Sequence, residues 1–550
     1  MVPHLHGSAN SPRIYRKVSM AQHSTEIDVH KTNQSRLVRA FSAVERLGQR
    51  LPDPLTLFLL MSLLVIVVSA LFAGTSADVI QRSGGSKTMT VQSLLTFEGI
   101  RWMLTSAVKN FIEFAPLGPV LTVMIGIGVA ERTGFISMGL RVLVTRVPNT
   151  MLTATVVFAG VMSSMAADAG YVVLTPLGAL LFASVKRHPL AGLAAAYAGV
   201  SGGFSANLLI TGLDPMLAKL TQQAAQTLDP AYTVNAACNY YFMIASTILV
   251  TVIGTVVTTR IVEPMLGEWD PSQGEQQGIQ EGQKPGTAEA RAFMISMGVG
   301  LALGAGLLCL GLVPGAPLHD EIQPGQPAVN ALNTFFESIE ILVAIGFIVP
   351  GLVYGLMTKT IKSDKDVAGM MSDTMASMGA YVVLAFIAGQ FVAYFNWTHL
   401  GAVTAVKGAG VLESIGLEGG VLLIAFLVVA SIMNFLVGSA SAKWAFMAPI
   451  FVPMLMQMGL SPEATQAAYR VGDSITNIIS PLMPYLPIII VFAQKYDRKS
   501  GMGTILASML PYSIALGIAW IIMLLAWVAL GIPFGPGASA EYDLSAMLSL

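Results

Sequence analysis

"AAYRVGDSITNII" (residues 467–479) sets an arginine, an aspartate, a glycine and several hydroxyl and amide side chains between two strongly apolar stretches. On a soluble helix these residues would form the wet face. The composition around them rules that out. Of 550 residues, 54% are hydrophobic and only 11% charged, where an ordinary soluble domain carries about 25% charged residues; the mean hydropathy is +0.68. Apolar runs such as "LTLFLLMSLLVIVVSALFA" (55–73), "YYFMIASTILVTVIGTVV" (240–257) and "SMLPYSIALGIAWIIMLLAWVALGI" (508–532) recur along the chain. Roughly 18–25 such residues cross the ~30 Å hydrocarbon core as a helix. The chain reads as an all-α polytopic membrane protein, and 467–479 as a polar break inside its membrane.

The break has a counterpart. "AAY" (195–197) precedes "GVSGGFSAN" (199–207) as "AAY" (467–469) precedes "VGDSITN" (471–477), and each ends in an asparagine followed by aliphatics, Asn207 and Asn477. Upstream of each lies a polar tip inside a long apolar stretch, "SSMAAD" (163–168) and "GSASAK" (438–443). Pro176 and Pro189 follow the first tip thirteen residues apart, and Pro449 and Pro462 follow the second at the same spacing. The ordered matches, at offsets of 270 to 273, indicate an internal repeat.

Nine full crossings are expected near 55–73, 112–131, 190–213, 240–262, 291–313, 337–358, 376–396, 462–493 and 503–532. The stretches 150–185 and 420–458 then read as re-entrant hairpins, and 190–213 and 462–493 as broken helices. This layout puts loops bearing Arg132, Lys186, Arg187, Lys359, Lys365 and Lys495 on the cytoplasmic side with the N-terminus, where eight Lys/Arg residues precede the first crossing. The first hairpin enters from the cytoplasm and the second from outside, so the repeats are inverted, as in many secondary transporters. Residues 1–34 form a polar cytoplasmic extension, and 35–50 suit an amphipathic helix at the interface. The Gly/Gln/Glu-rich stretch 264–290 is a flexible cytoplasmic linker between a first half (35–263) and a second (291–534), and 535–550 is an outward tail. Cys238 and Cys309 read as buried free thiols. A net charge of −1 argues for no nucleic-acid partner.

Breaking a helix in lipid exposes backbone groups that only protein or a water-lined cavity can receive. The breaks therefore supply carbonyls and hydroxyls suited to a hard monovalent cation such as Na⁺, from Ser163, Ser164, Asp168, Asn207, Gly438, Ser439, Thr476 and Asn477. Asp168, Asp214, Lys443, Arg470 and Asp473 cluster at the same places, each costing roughly 2.5–3.5 kcal/mol at the centre of a membrane helix. Blander readings stand beside a binding role. Arg470 and Asp473, three apart on one helix face, can pair with each other. Asp214 can start a loop turn before Pro215 at the outer surface, and Lys443 can point to the surface from a hairpin bend. Trp444 can belong to an interfacial aromatic belt, although the repeat sets Tyr171 against it, an aromatic after each tip that suits stacking on an aromatic substrate. Asn434 can make a helix–helix hydrogen bond. Glu113, Glu337 and Glu340 fit wet membrane edges, and His399 the interface. No Walker motif, nucleophile elbow or zinc-protease helix occurs, so neither ATP-driven transport nor enzymatic catalysis is expected, and no cofactor beyond a coupling Na⁺.

"SSMAADAGYVVLTPLGALLF" (163–182), "GGFSANLLITGLDPMLA" (202–218), "NFLVGSASAKWAFMAPIFVPML" (434–455) and "LSPEATQAAYRVGDSITNIISPLMPY" (460–485) together resemble the p-aminobenzoyl-glutamate transporter (AbgT) family of the ion transporter superfamily, over residues 36–534. The resemblance implies a homodimer in the bacterial inner membrane. Each subunit would have nine membrane helices, two re-entrant hairpins, an inner transport core and an outer dimerisation framework. It implies cation-coupled transport of p-aminobenzoyl-glutamate and efflux of sulfonamide antimetabolites, with Asp214, Asn434, Ser441, Trp444, Pro462, Arg470, Asp473 and Pro481 at the functional positions. The chemistry of those residues agrees: Arg470 can hold a carboxylate bidentately, and Trp444 can stack an aminobenzoyl ring. A sodium-coupled dicarboxylate carrier and a passive channel are the competing readings.

Overall fold

The computed structural model describes residues 54–80, 86–145, 148–166, 170–270, 286–322, 331–414, 419–435, 437–480 and 485–542, with Gly416 and Met483. The expected polar extension 1–34, the interfacial helix at 35–50, residues 271–285 of the linker expected at 264–290, residues 543–550 of the tail, Asp168 and Pro481 lie outside the described residues.

In chain order the principal helices are α1 (Pro54–Leu71), α2 (Phe97–Ile112), α3 (Leu117–Arg132), α4 (Phe135–Thr145), α5 (Leu152–Met162), α6 (Thr175–Ser184), α7 (Pro189–Tyr197), α8 (Leu213–Ala225), α9 (Tyr240–Val257) and α10 (Thr287–Leu312). They continue with α11 (Ile339–Thr358), α12 (Asp364–Ser377), α13 (Gly379–Trp397), α14 (Leu400–Ser414), α15 (Gly419–Asn434), α16 (Ala440–Gln457), α17 (Pro462–Asn477), α18 (Leu486–Gln494) and α19 (Met502–Ala529). Among the described residues six helical stretches are long and apolar enough to span a membrane: Phe97–Arg132, Tyr240–Leu266, Thr287–Leu312, Ile339–Thr358, Gly379–Trp397 and Met502–Ala529. Leu59, Leu63 and Val67 on α1 and Leu301 and Leu308 on α10 are exposed, as befits faces turned to lipid.

Several expectations are corrected. The crossing placed at 112–131 is preceded by α2, an amphipathic helix that ends at Ile112 and resumes as α3. Helices α12 and α14 and an antiparallel hairpin pairing Ser76–Ile80 with Ser86–Thr90 were not expected. Their polar faces or short length hide them from a search for apolar runs. Cys309 is exposed on α10, while Cys238 is buried as expected. The tip "GSASAK" is only half a turn: Ser439 caps α16, its hydroxyl accepting from Ala442 N–H at 3.3 Å, so Ser441 and Lys443 already lie in the helix.

Side-chain packing divides the helices into two bodies. One buried cluster joins Val123, Ile127 and Ala130 of α3, Phe135 and Met138 of α4, Phe293 of α10 and Tyr354 of α11. A larger one takes in α5 to α9, α13 and α15 to α19.

Within the larger body the two segments matched in sequence make similar contacts. Pro189 and Pro462 both open their helices, behind the caps His188 and Ser461. A Cβ on Gly199 would come within 2.3 Å of Val157 O on α5, and one on Gly472 within 2.7 Å of Leu427 O on α15. A glycine ten residues after the opening proline thus lets each helix press against its partner. Tyr197 meets Tyr171 edge-on at 6.2 Å, and Tyr469 stacks on Trp444 at 4.5 Å. Both helices then break. Helix α7 passes through a wide turn at Ala198–Gly202 and runs non-helically to α8, and α17 stops at Asn477 before α18.

Candidate substrate and ion site

The two breaks touch. Ser205 N–H donates to Ser474 Oγ at 3.2 Å, and Arg470 Nη2 reaches Ser205 O at 3.4 Å. Two ion pairs flank this contact, and they are not the pair that spacing allowed. Arg470 and Asp473 separate. Arg470 Nη1 lies 2.7 Å from Asp214 Oδ1, and Asp473 pairs with Lys443. All four side chains are at most 4% exposed. Helices α8 and α16 converge on α17, so each charge meets its own counter-ion, as burial demands.

Asp214 occupies the first turn of α8, where the helix dipole favours a carboxylate. Its Oδ2 accepts from Thr211 N–H at 2.6 Å and from the Thr211 hydroxyl at 2.9 Å. It is therefore buried in the core, not a loop aspartate at the outer surface. Arg470 Nε is a buried donor without a hydrogen-bond partner among the described residues.

Lys443 is fully buried rather than surface-directed. Its ammonium donates to Asp473 Oδ1 and, at 2.5 Å, to Asn434 Oδ1. Asn434 Nδ2 in turn donates to Thr476 Oγ1 (2.9 Å), Asn477 Oδ1 (2.8 Å) and Asp473 O (3.0 Å), and Asn477 Nδ2 donates to Asp473 Oδ2 at 3.0 Å. Asn434 thus makes the interhelical bond expected of a membrane amide, and a lysine sits at the centre of that network.

Trp444 is fully buried, which excludes an interfacial belt position. Its Nε1–H donates to Thr221 Oγ1 at 2.9 Å, and Tyr469 covers one ring face. Tyr171, its repeat partner, stacks on Tyr485 at 4.2 Å. Ser441 borders an apolar crevice with Phe58, Phe114, Met216, Leu384 and Ala445. Pro462 is buried at the start of α17.

The hydroxyls considered for a cation form two local groups. Ser163 and Ser164 donate to Gly160 O and Val161 O, and Asn207 Nδ2 donates to Ser164 Oγ at 2.9 Å. Thr476 donates to Gly472 O at 2.7 Å, Ser439 caps α16, and Gly438 is exposed. Glu337 is exposed, and Glu113 is an exposed partner of Lys109 at 3.8 Å, both in keeping with wet edges.

Sequence reasoning missed Thr221 and Gln466. The Thr221 hydroxyl donates to Gln466 Oε1 at 2.5 Å while accepting from Trp444. The polar run "SPEATQ" (461–466) leading into "AAY", unusual in so apolar a chain, was the signal available for Gln466.

Residues 39–542 match the AbgT putative transporter family. The p-aminobenzoyl-glutamate transport protein of Escherichia coli (strain K12) is 34% identical over 505 residues, covering 91% of this chain and 96% of that protein. The YdaH transporter of Alcanivorax borkumensis, whose crystal structure is described as having an unusual topology, is 42% identical with a TM-score of 0.80 over 88% of this chain and 100% of its own. MtrF of Neisseria gonorrhoeae, described as illuminating a class of antimetabolite efflux pumps, is 43% identical with a TM-score of 0.84 over 90% and 99%. Matched over nearly its whole length by the family and by relatives of both kinds, this multi-pass membrane protein belongs to the AbgT transporter family.

Proposed function

We propose that the protein is a cation-coupled secondary transporter of p-aminobenzoyl-glutamate and related aromatic carboxylates, and that sulfonamide antimetabolites share its path. One observation carries the reading: Arg470, buried where the two breaks meet, pairs with Asp214 yet keeps an unfilled Nε donor. A guanidinium with a free donor is suited to a substrate carboxylate, which two parallel N–H···O bonds hold more firmly than one. Trp444 and Tyr469 supply an aromatic wall on the neighbouring turn of α16 and on α17. In the arrangement described they stack on each other, so an aminobenzoyl ring enters when α16 and α17 part. Asn434, Ser441, Asp473, Pro462 and Pro481 complete the site in this reading. A coupling Na⁺ would draw on the local oxygen groups at Ser163, Ser164, Asp168 and Asn207 or at Gly438, Ser439, Thr476 and Asn477.

The architecture we infer has nine crossings, with α5–α6 and α15–α16 as hairpins that enter and return from opposite sides. The α3–α4–α10–α11 body is the framework on which two subunits meet. The N-terminus is cytoplasmic, and the membrane is the bacterial inner membrane. Paired hairpins and broken helices provide the two packings that alternating access requires.

The test is uptake of labelled p-aminobenzoyl-glutamate, and of a labelled sulfonamide, into liposomes holding the purified protein under separate Na⁺, pH and voltage gradients. Saturable accumulation driven by a cation gradient supports the reading. Flux that only equilibrates makes the protein a channel, and transport untouched in Trp444→Ala favours a dicarboxylate carrier.

A further inference from the structure

Helix α17 carries a third buried carboxyl, Glu463, 4% exposed in its first turn. Asp214 has Arg470 and Asp473 has Lys443, but among the described residues no cation lies within ion-pair distance of Glu463. Its side-chain partners are neutral hydroxyls: Tyr232 O–H donates to Glu463 Oε2 at 2.9 Å, and the Ser461 hydroxyl also bears on the carboxyl. The other titratable groups around it are the thiol of Cys238, Tyr542, whose ring meets that of Tyr232 at 5.7 Å, and Asp229, which accepts from Tyr542 O–H at 3.4 Å. Arg470 and Asp214 lie about two turns further along and are committed to each other. Glu463 can therefore gain or lose a proton without breaking an ion pair, which Asp214 and Asp473 cannot.

Two further features give it a route and a reach. Tyr232 is half-buried, so the carboxyl lies one side chain from the protein surface, and its ring packs against Tyr542 of the C-terminal segment, which is tied to this end of α17 by Ser461 N–H to Ala540 O (3.2 Å) and Ser461 Oγ to Ser539 O (2.6 Å). Inward, a chain of hydrogen bonds runs from the main-chain carbonyl of Glu463, on the same turn as the carboxyl, through Asn239 Nδ2 (2.9 Å), Asn239 Oδ1 to Gln466 Nε2 (2.8 Å) and Gln466 Oε1 to Thr221 Oγ1 (2.5 Å), ending at Trp444 Nε1 (2.9 Å). Resting on the transport reading above, we propose that Glu463 is the proton-binding residue of the cycle. It takes up one proton through Tyr232 from the water on one side, becomes the neutral acid, and releases that proton to the other side after the site has turned over, while the Asn239–Gln466–Thr221 chain ties the turn of α17 that carries it to the Trp444 wall. An ionisable group buried in a membrane protein without a counter-ion is by default a functional one.

The test compares wild type, Glu463→Gln and Tyr232→Phe, each as full-length protein in liposomes, with labelled p-aminobenzoyl-glutamate. Glutamine keeps the shape and the acceptor for Tyr232 but cannot carry a proton. It should lower uptake driven by an imposed pH gradient by about fivefold or more, while exchange of internal for external substrate, which needs no net proton movement, continues. Tyr232→Phe should shift the midpoint of the pH profile of driven uptake. Wild-type pH-driven uptake in Glu463→Gln would overturn the proposal, as would a wild-type protein that exchanges substrate but accumulates it only on a Na⁺ gradient; transport itself would then stand. Absence of exchange in the wild type would sink the transport reading and this proposal with it. If the glutamine variant does not fold, an unchanged pH profile in Tyr232→Phe overturns the assignment.

Discussion

Arg470 and Lys443 are the two buried cations of the site, and they are used differently. Arg470 retains a free donor beside Asp214, whereas the Lys443 ammonium is fully engaged by Asp473 and Asn434. Replacing them should separate function from stability. Arg470→Lys keeps a charge for Asp214 but loses the guanidinium fork; it should fold, assemble as the wild type does, and lose flux of labelled substrate to background. Lys443→Met strands Asp473 as an unpaired buried carboxylate, which typically costs on the order of 3–5 kcal/mol. Denaturation in detergent should show that loss, and the double variant Lys443→Met/Asp473→Asn should recover most of it. Recovery no better than the single variant would mean that Lys443 stabilises through something other than this pair.

At the level of elements, close helix contact at the repeat positions depends on glycine. A Cβ at Gly472 would meet Leu427 O at 2.7 Å, the Ala430 methyl and the Ser431 hydroxyl, so Gly472→Ala should destabilise by roughly 1–3 kcal/mol through overpacking. Gly346→Ala on α11, where nothing lies within 4 Å, should not. Thermal unfolding of the two variants makes the comparison. The start of α7 offers a pH-dependent counterpart. His188 Nδ1 accepts from Leu190 N–H at 3.2 Å, which requires the neutral ring, and burial lowers the imidazole below its ordinary value against the pull of Glu263 and Asp497. The folded value is depressed, so the cap's contribution is present above the ordinary histidine range and is lost as pH falls through it. A His188→Asn variant, which caps without titrating, should show a flatter dependence of Tm on pH across the mildly acidic range; a slope equal to that of the wild type would place the titration elsewhere.

For the molecule as a whole, the sequence exposed whatever is costly in lipid. Polar breaks at 199–207 and 471–477 could not be idle in an apolar chain, and prolines, an "AAY" and an asparagine at offsets of 270 to 273 marked the two segments as a pair. Partnerships between distant segments were not legible. Nothing local told that Arg470 would reach Asp214 across 256 positions of sequence rather than Asp473 three residues away, or that Lys443, beside a polar tip, would turn inward to Asp473. Those choices are made by the convergence of α8, α16 and α17, which only the packed fold contains. Helices α12 and α14 were missed for a different reason: their composition is too polar or too small-residue-rich to stand out by hydropathy alone.

In the proposed cycle a buried arginine at the meeting of two helix breaks binds the carboxylate of a substrate moved against its gradient. Its most direct test is accumulation of labelled p-aminobenzoyl-glutamate in liposomes containing either the wild-type protein or Arg470→Ala, under an imposed cation gradient. The wild type should accumulate substrate above equilibrium with saturable kinetics, and Arg470→Ala should stay at the level of protein-free liposomes while keeping its assembly state. Equal accumulation by a correctly assembled Arg470→Ala protein would contradict the account.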